Sequence, residues 1–112
     1  SMNNFENTRP VKTIEEFQIQ LEIQLQQYYL KYLNANLIPE VTITKGHKFY
    51  KIITGTTVWG FIARKPFIHK GVPLKAGDLM KPAGWSQAAA YARGNVIEGT
   101  AVYGPYGPQY LN

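Results

Sequence analysis

The stretch KPAGWSQAAAYARGN, residues 81–95, decides how this chain is read. It places one Trp, three consecutive alanines, a Tyr, an Arg and a Gly-Asn step in one short span. Ser86 is a favoured N-cap, because its hydroxyl accepts from the first unsatisfied N–H groups of a helix. Gln87 to Ala92 then read as a short helix, and Gly94-Asn95 supply its left-handed stop. On this reading Ala88, Ala89 and Ala90 let the helix approach another backbone closely. Trp85 plugs its start, and Arg93 complements the negative end of the helix dipole.

Working outward, Leu79-Met80-Lys81 reads as a short strand before it. Residues 64–77 contain Pro66, Gly71, Pro73 and Gly77 and read as a loop with room for a ribbon. Further upstream, Val41–Thr44, Phe49–Ile53 and Val58–Ile62 are β-rich runs separated by Gly46-His47 and Gly55-Thr56. Such short turns imply an antiparallel meander. Gly60 inside the third run signals a bulge or a close neighbour. Downstream, Val96-Ile97 reads as a further short strand. GTAVYGPYGPQYLN, residues 99–112, is too rich in Gly and Pro for a regular element.

The N-terminal third offers two readings. FQIQLEIQLQ, residues 17–26, alternates apolar and polar at period two, as a half-buried strand does. A wider window steps by three or four through Ile14, Phe17, Leu21, Leu25, Tyr28 and Tyr32. Thr13 followed by Glu16 is a capping-box pattern, and unbranched Gln, Glu and Leu lose little rotamer freedom in a helix. A helix over 14–33 is expected, ended by Asn34, Asn36 and Pro39. The fold class is therefore α+β: an N-terminal amphipathic helix packed on a small antiparallel sheet, with a second short helix. Phe17, Leu21, Leu25, Ile52, Val58 and Phe61 are the expected core. Residues 1–12 read as a flexible arm, 13–98 as a single domain and 99–112 as a Gly/Pro/Tyr-rich tail. Ser1, ahead of Met2, reads as a cloning remnant.

The 112 residues suit one modest core. The chain has no cysteine, which excludes disulfides, thiolate metal sites and cysteine nucleophiles. No apolar run approaches the length that spans a bilayer, and residues 5–11 hold no apolar signal-peptide core. A soluble intracellular protein is expected. Charge is unevenly placed: residues 1–40 hold three basic against five acidic side chains, whereas residues 41–112 hold nine against two. A basic second part points to a polyanionic partner.

Catalytic groups are sparse. His47 and His69 stand in or near loops with no Asp, Glu or His at metal-ligand spacing. Asp78 and Glu98 are the only carboxylates after position 40, and Asp78, after Gly77, reads as a turn residue bonding its own backbone. Neither a Walker pattern nor a dinucleotide fingerprint is present. The chain reads as a binder rather than an enzyme, with no cofactor or metal. Basic groups interleaved with aromatic rings are the ingredients of single-stranded nucleic-acid binding. The candidate phosphate-binding residues are Lys48, Lys51, Lys81 and Arg93, with Trp85 as a stacking surface. Tyr50, Trp59 and Tyr91 are further aromatics.

Several of these residues carry a resemblance. Lys51-Ile52-Ile53, Val58-Trp59-Gly60-Phe61-Ile62, Lys75-Ala76-Gly77-Asp78-Leu79-Met80-Lys81-Pro82-Ala83-Gly84-Trp85 and Ala92-Arg93-Gly94-Asn95-Val96 follow in one order. Together they resemble a family of small, uncharacterised tailed-phage proteins with a Gly-Asp-x-x-Lys, Trp, Ala-Arg-Gly-Asn pattern. Tyr106-Gly107-Pro108-Gln109-Tyr110-Leu111 resembles that family's usual end. The likeness covers roughly residues 41–112. It implies a bacteriophage origin and action in the host cytoplasm, and no assigned activity. Ser86-Gln87-Ala88-Ala89 departs from the more basic segment expected there. The α-β-β-β-α order is also similar to a double-stranded-RNA-binding domain, but Ser86–Tyr91 lacks the basic residues such domains place at the start of the second helix.

The leading functional expectation is a small phage-encoded binding protein that contacts nucleic acid through a basic, aromatic face. The alternatives are a protein-binding effector that inhibits a host enzyme or defence complex, and a small-nucleotide binder using Arg93 and Lys81. Candidate partners are nucleic acid, a host protein, and a second copy through the C-terminal tail; no membrane is implied.

Overall fold

The structure, a computed structural model, describes residues 4–109. Helix α1 spans Ile14–Tyr32. Thr13 Oγ1 accepts from Glu16 N at 3.1 Å, and Glu16 Oε2 accepts from Lys12 N at 2.9 Å. The expected reciprocal cap thus forms, with the Glu reaching one residue further out than the usual box. The helical period wins over the strand-like alternation. Phe17, Leu21 and Leu25 are buried four residues apart, while Ile19 and Ile23 are 57% and 47% exposed. Beyond Tyr32, Asn34 Oδ1 accepts from Asn36 N and opens a 3₁₀ turn at Ala35–Leu37.

The chain then forms β1 (Val41–Lys45), β2 (Phe49–Thr54), β3 (Thr57–Ala63), β4 (Phe67–His69), β5 (Val72–Leu74), β6 (Asp78–Gly84) and β7 (Gln87–Asn95). A last ribbon joins β8 (Tyr103–Gly104) to β9 (Gly107–Pro108). Five strands make one antiparallel sheet in the order β1-β2-β3-β6-β7, and β4-β5 form a separate two-stranded ribbon. The architecture is α+β, as expected, but the sheet is larger and the second helix is absent. Residues 87–92 belong to β7, and the only helical turn after α1 among the described residues is the 3₁₀ turn. Ser86 is accordingly a turn residue rather than an N-cap, and Trp85 beside it is 58% exposed rather than a plug. Val96-Ile97 form a turn instead of a strand.

Tertiary packing explains why the alanines are extended. Met80 pairs with Ala92 and Pro82 with Ala88. Ala88 is buried in a cluster with Phe61, Ala63, Leu74 and Met80. The β4-β5 ribbon covers this cluster, turning through Lys70 (φ 50°) and Gly71 (φ 78°). Two successive residues with positive φ are what a two-residue type I′ hairpin requires. His69 Nε2 lies 3.1 Å from both the Ala88 and Ala89 carbonyls, so it carries the proton and donates to them. The small side chains do allow a close approach, but to a strand.

The other sheet face packs against α1. Phe17, Leu21, Leu25, Ile52, Trp59, Ile62, Leu79 and Tyr103 form this larger cluster. Of the expected core only Val58 falls short; it is half-buried at the edge of the second cluster. Gly60 satisfies both readings made of it. The β2–β3 register shifts there, with Ile52 opposite Gly60 and Ile53 opposite Val58. A Cβ on Gly60 would stand 3.1 Å from both Met80 O and Pro108 Cγ.

The segments on either side, around Phe5–Val11 and Val96–Gly104, join this core. Phe5 N donates to Tyr103 O and Val11 N to Val96 O, with Val11 buried. Tyr103 is fully buried against the rings of Phe5, Phe17 and Trp59. Trp59 Nε1 donates to Gly104 O at 3.3 Å. The Gly/Pro/Tyr-rich segment therefore contributes a short ribbon and a core residue of the same domain; Tyr110 lies outside the described residues.

Candidate functional site

Two sets of motif residues separate in the fold. The first is a buried polar knot. Asp78 begins β6 and Asn95 ends β7, and the two are paired. Asn95 Nδ2 donates to Asp78 Oδ1 and to Ala76 O, each at 2.9 Å. Asn95 Oδ1 accepts from Ile97 N and Glu98 N, and Asp78 Oδ2 accepts from Lys75 N. Both side chains are thus consumed in holding backbone. Gly77 and Gly94 have φ of 90° and 85°. A Cβ on Gly94 would run into Thr100 O, and one on Gly77 would lie 2.8 Å from Asn95 Oδ1. The Gly-Asp and Ala-Arg-Gly-Asn steps are therefore architectural. They close the β6–β7 hairpin base, as the turn role read for Asp78 anticipates in part.

The second set is a basic pocket on the sheet face away from α1. Gly46 makes the β1–β2 turn tight: its N–H donates to Phe49 O at 2.9 Å, and a Cβ would stand 3.0 Å from that oxygen. Arg64 fixes the turn from β3's end, its Nη1 reaching Gly46 O at 2.5 Å and His47 O at 2.9 Å. Lys45, Lys48 and Lys51 are thereby presented from one hairpin. Opposite them stands the β6–β7 hairpin. Only Phe61 and Ile62 of β3 pair with β6, and Pro82 has no N–H to offer a neighbour. The hairpin tip, Trp85-Ser86, leaves the sheet and comes back to β2: Lys51 Nζ lies 4.0 Å from the Trp85 ring centroid. The space between the hairpins is about 270 Å³, lined by Thr44, Lys45, Gly46, His47, Lys48, Phe49, Lys51, Phe61 and Ser86.

The charge here is uncompensated. Among the described residues the one ion pair is Lys75–Glu98, at 2.8 Å. Lys48 sits over the Phe67 ring at 5.1 Å. An ammonium over an aromatic face is attracted by the ring quadrupole, which holds the side chain in place. Three larger cavities are chemically weaker, and one of them, about 380 Å³ along Ile19 and Ile23, sets Arg9 beside Glu16. One of about 340 Å³ beside the start of α1 mixes Glu15 with Arg64, whose guanidinium already donates to two carbonyls. Another, of about 420 Å³, lies along the end of α1 and offers a single cation, Lys31.

Of the five candidate residues, Lys48 and Lys51 line the pocket, and Trp85, next to the lining residue Ser86, meets Lys51. Lys81 and Arg93 do not line this pocket. They are sequence neighbours of Met80 and Ala92, which face the second cluster, and strand alternation turns them away from it. Lys45 borders the pocket too, but it is in phase with Val41 and Ile43 on the α1-facing side of β1 and also lines a cavity with Glu15. Trp59 is 1% exposed and offers no stacking face; Tyr91 is exposed on β7, and Tyr50 packs against the α1 cluster. His47 is exposed and His69 is held by two carbonyls. Among the described residues no three His, Cys, Asp or Glu side chains gather as a metal site requires, and no helix is long and apolar enough to cross a membrane. Comparison with protein-family models, with curated proteins and with solved structures gives no match.

Proposed function

We propose that this chain is a small binding protein that contacts single-stranded nucleic acid at the pocket between the β1–β2 and β6–β7 hairpins. The observation that carries the reading is the placement of Lys48 and Lys51, neither paired with a carboxylate, along one pocket, with Lys51 Nζ 4.0 Å from the centroid of the exposed Trp85 ring. Lysines neutralise backbone phosphate regardless of sequence. An exposed indole beside them stacks on a base of any kind. The cavity, at about 270 Å³, lies below the usual range for an enclosed small ligand, which favours a strand passing over it to a nucleotide held within it. Besides the lysines the pocket offers the His47 imidazole and the Thr44 and Ser86 hydroxyls, groups that can donate to phosphate oxygens, and the role read from them is binding. The sequence resemblance to small tailed-phage proteins supports a role in an infected bacterial cytoplasm.

Anisotropy of labelled single- and double-stranded oligonucleotides at two salt concentrations tests this. The expected result is salt-sensitive binding that favours the single strand and quenches Trp85 fluorescence. A folded protein that binds neither at low salt removes the reading. It would promote the second one, a protein-binding effector, which the exposed Ile68 and Tyr91 favour. Capture from host lysate with and without nuclease separates the two.

A further inference from the structure

We propose that the cleft between residues 4–7 and the C-terminal half of α1 binds a neutral sugar ring. It shares no lining residue with the basic pocket, and its volume of about 420 Å³ lies within the usual range for a small-molecule site. Phe5 N donates to Tyr103 O at 2.9 Å, which fixes the N-terminal segment beside the helix. Gln24, Gln27, Tyr28, Lys31 and Tyr32 line the cleft from the helix side. Residues three and four apart are neighbours on a helix surface, so these five share one face.

Rings form part of the wall. The Tyr28 centroid stands 5.2 Å from Tyr32 and 6.3 Å from Phe5, and Tyr32 is 62% exposed. The remainder is a row of ordered amides. Gln20 Nε2 donates to the Tyr103 hydroxyl at 3.2 Å, and that hydroxyl donates to Gln24 Oε1 at 2.7 Å. Gln24 Nε2 donates to Asn7 Oδ1 at 3.3 Å, and Asn7 Nδ2 to Gln27 Oε1 at 3.1 Å. From Tyr103 onward the links run outward from the core, and each bond polarises the next. The chain ends at Gln27 Nε2, which meets no acceptor among the described residues. Asn4 Oδ1, shielded from solvent, meets no donor. A shielded acceptor without a donor is costly, and the soft amide torsion of Asn lets it turn toward the cleft.

Spare donors, a spare acceptor and aromatic faces together select the ligand. Glu6 and Lys31 are the only charged groups bordering the cleft, and they balance, so a polyanion gains little there. A polyproline segment brings carbonyls for Gln27 but no N–H for Asn4. Sugar hydroxyls both donate and accept. The C–H face of a pyranose lies against the negative face of a tyrosine ring.

Titration of the ¹⁵N-labelled full chain with methyl β-glucoside, N-acetylglucosamine and cellobiose, followed by NMR, tests this. At least one sugar is expected to give saturable shifts at the Gln27 side-chain amide and at Tyr28 and Tyr32, with Lys48 and Lys51 unmoved. Gln27→Leu and Tyr32→Ala, both at exposed positions, are each expected to weaken binding by about five- to ten-fold with an unchanged circular dichroism spectrum. No saturable shift with any of the three sugars overturns the proposal, as does undiminished binding by both variants. Shifts produced by a polyproline peptide and by none of the sugars overturn it too. The wild-type shifts decide the matter even if a variant folds poorly. Because oligonucleotides are read at Lys48 and Lys51, failure of the sugar site and failure of the basic pocket are told apart.

Discussion

Asn95 and Asp78 share a buried hydrogen bond of 2.9 Å that joins the end of β7 to the start of β6. Every strong hydrogen-bonding direction of the Asn95 side chain is used, with two acceptors for its amide hydrogens and two N–H donors for its oxygen. Asn95→Ala therefore leaves several groups unpaired at once. Each costs about 1–3 kcal/mol when buried, so a loss of roughly 2–4 kcal/mol is expected after partial relaxation and water entry. Urea titration measures it; a midpoint equal to wild type would show that the knot holds nothing.

Leu21 is fully buried on the core face of α1. Leu21→Ala is expected to cost about 2–5 kcal/mol through lost transfer energy and the residual cavity. An unchanged melting temperature would contradict the helix phase that buries Leu21 and exposes Ile19.

Trp85 has no place in either hydrophobic cluster. Trp85→Ala is expected to change stability by less than about 1 kcal/mol, the worth of an exposed cation–π contact with Lys51. Single-strand affinity is expected to fall by about 1–3 kcal/mol with little change in salt dependence. Unfolding of this variant, read by circular dichroism, would mean that the ring supports the hairpin rather than a ligand.

The lysines make the opposite forecast. Lys48→Ala and Lys51→Ala are each expected to flatten the dependence of log K on log salt by about 0.7 for single strands. Lys81→Ala and Arg93→Ala, which lie off the pocket, are expected to leave that slope in place. Equal effects from all four would mean a diffuse basic surface and no defined site.

Alkaline pH tests the core. Burial pushes the Tyr103 phenol above its ordinary 10.0, with its hydrogen bonds to the Thr8, Gln24 and Gln20 side chains opposing the rise more weakly. A phenol that ionises later in the folded than in the unfolded chain holds its full stabilisation below about pH 10. That stabilisation is lost as pH rises through the folded value. Tyr29, also raised by burial, adds in the same direction. Tyr103→Phe is expected to be less stable at neutral pH, because its bond to Gln24 Oε1 at 2.7 Å is lost. It is also expected to show a shallower decline in unfolding free energy above pH 10. A decline as steep as wild type would assign the alkaline loss to other groups.

The basic pocket was half legible before the fold was known. Lys48, Lys51 and Trp85 were recognised by type, because exposed charge and indole are chemically distinctive. Their convergence was not, since Trp85 stands 34 positions from Lys51 in the chain and reaches it only by the return of the β6–β7 hairpin. Trp59 and Trp85 look alike in sequence, yet one is buried against Phe17 and Tyr103 and the other caps an exposed turn.

What the chain's order of residues determined by itself is local. Thr13 and Glu16 start α1, the four-residue steps of Phe17, Leu21 and Leu25 orient it, and Gly46 and Gly55 set the first two hairpins. Each rests on contacts within a few positions, where propensity, capping and turn chemistry act. Only the tertiary structure decided residues 87–92. Six residues are too few to nucleate a helix on alanine propensity alone. As a strand they pair with β6, bury Ala88 beneath the ribbon and offer two carbonyls to His69. Those partners lie 3 to 20 positions away or further, and no local signal in Ser-Gln-Ala-Ala-Ala-Tyr reports that they will be there.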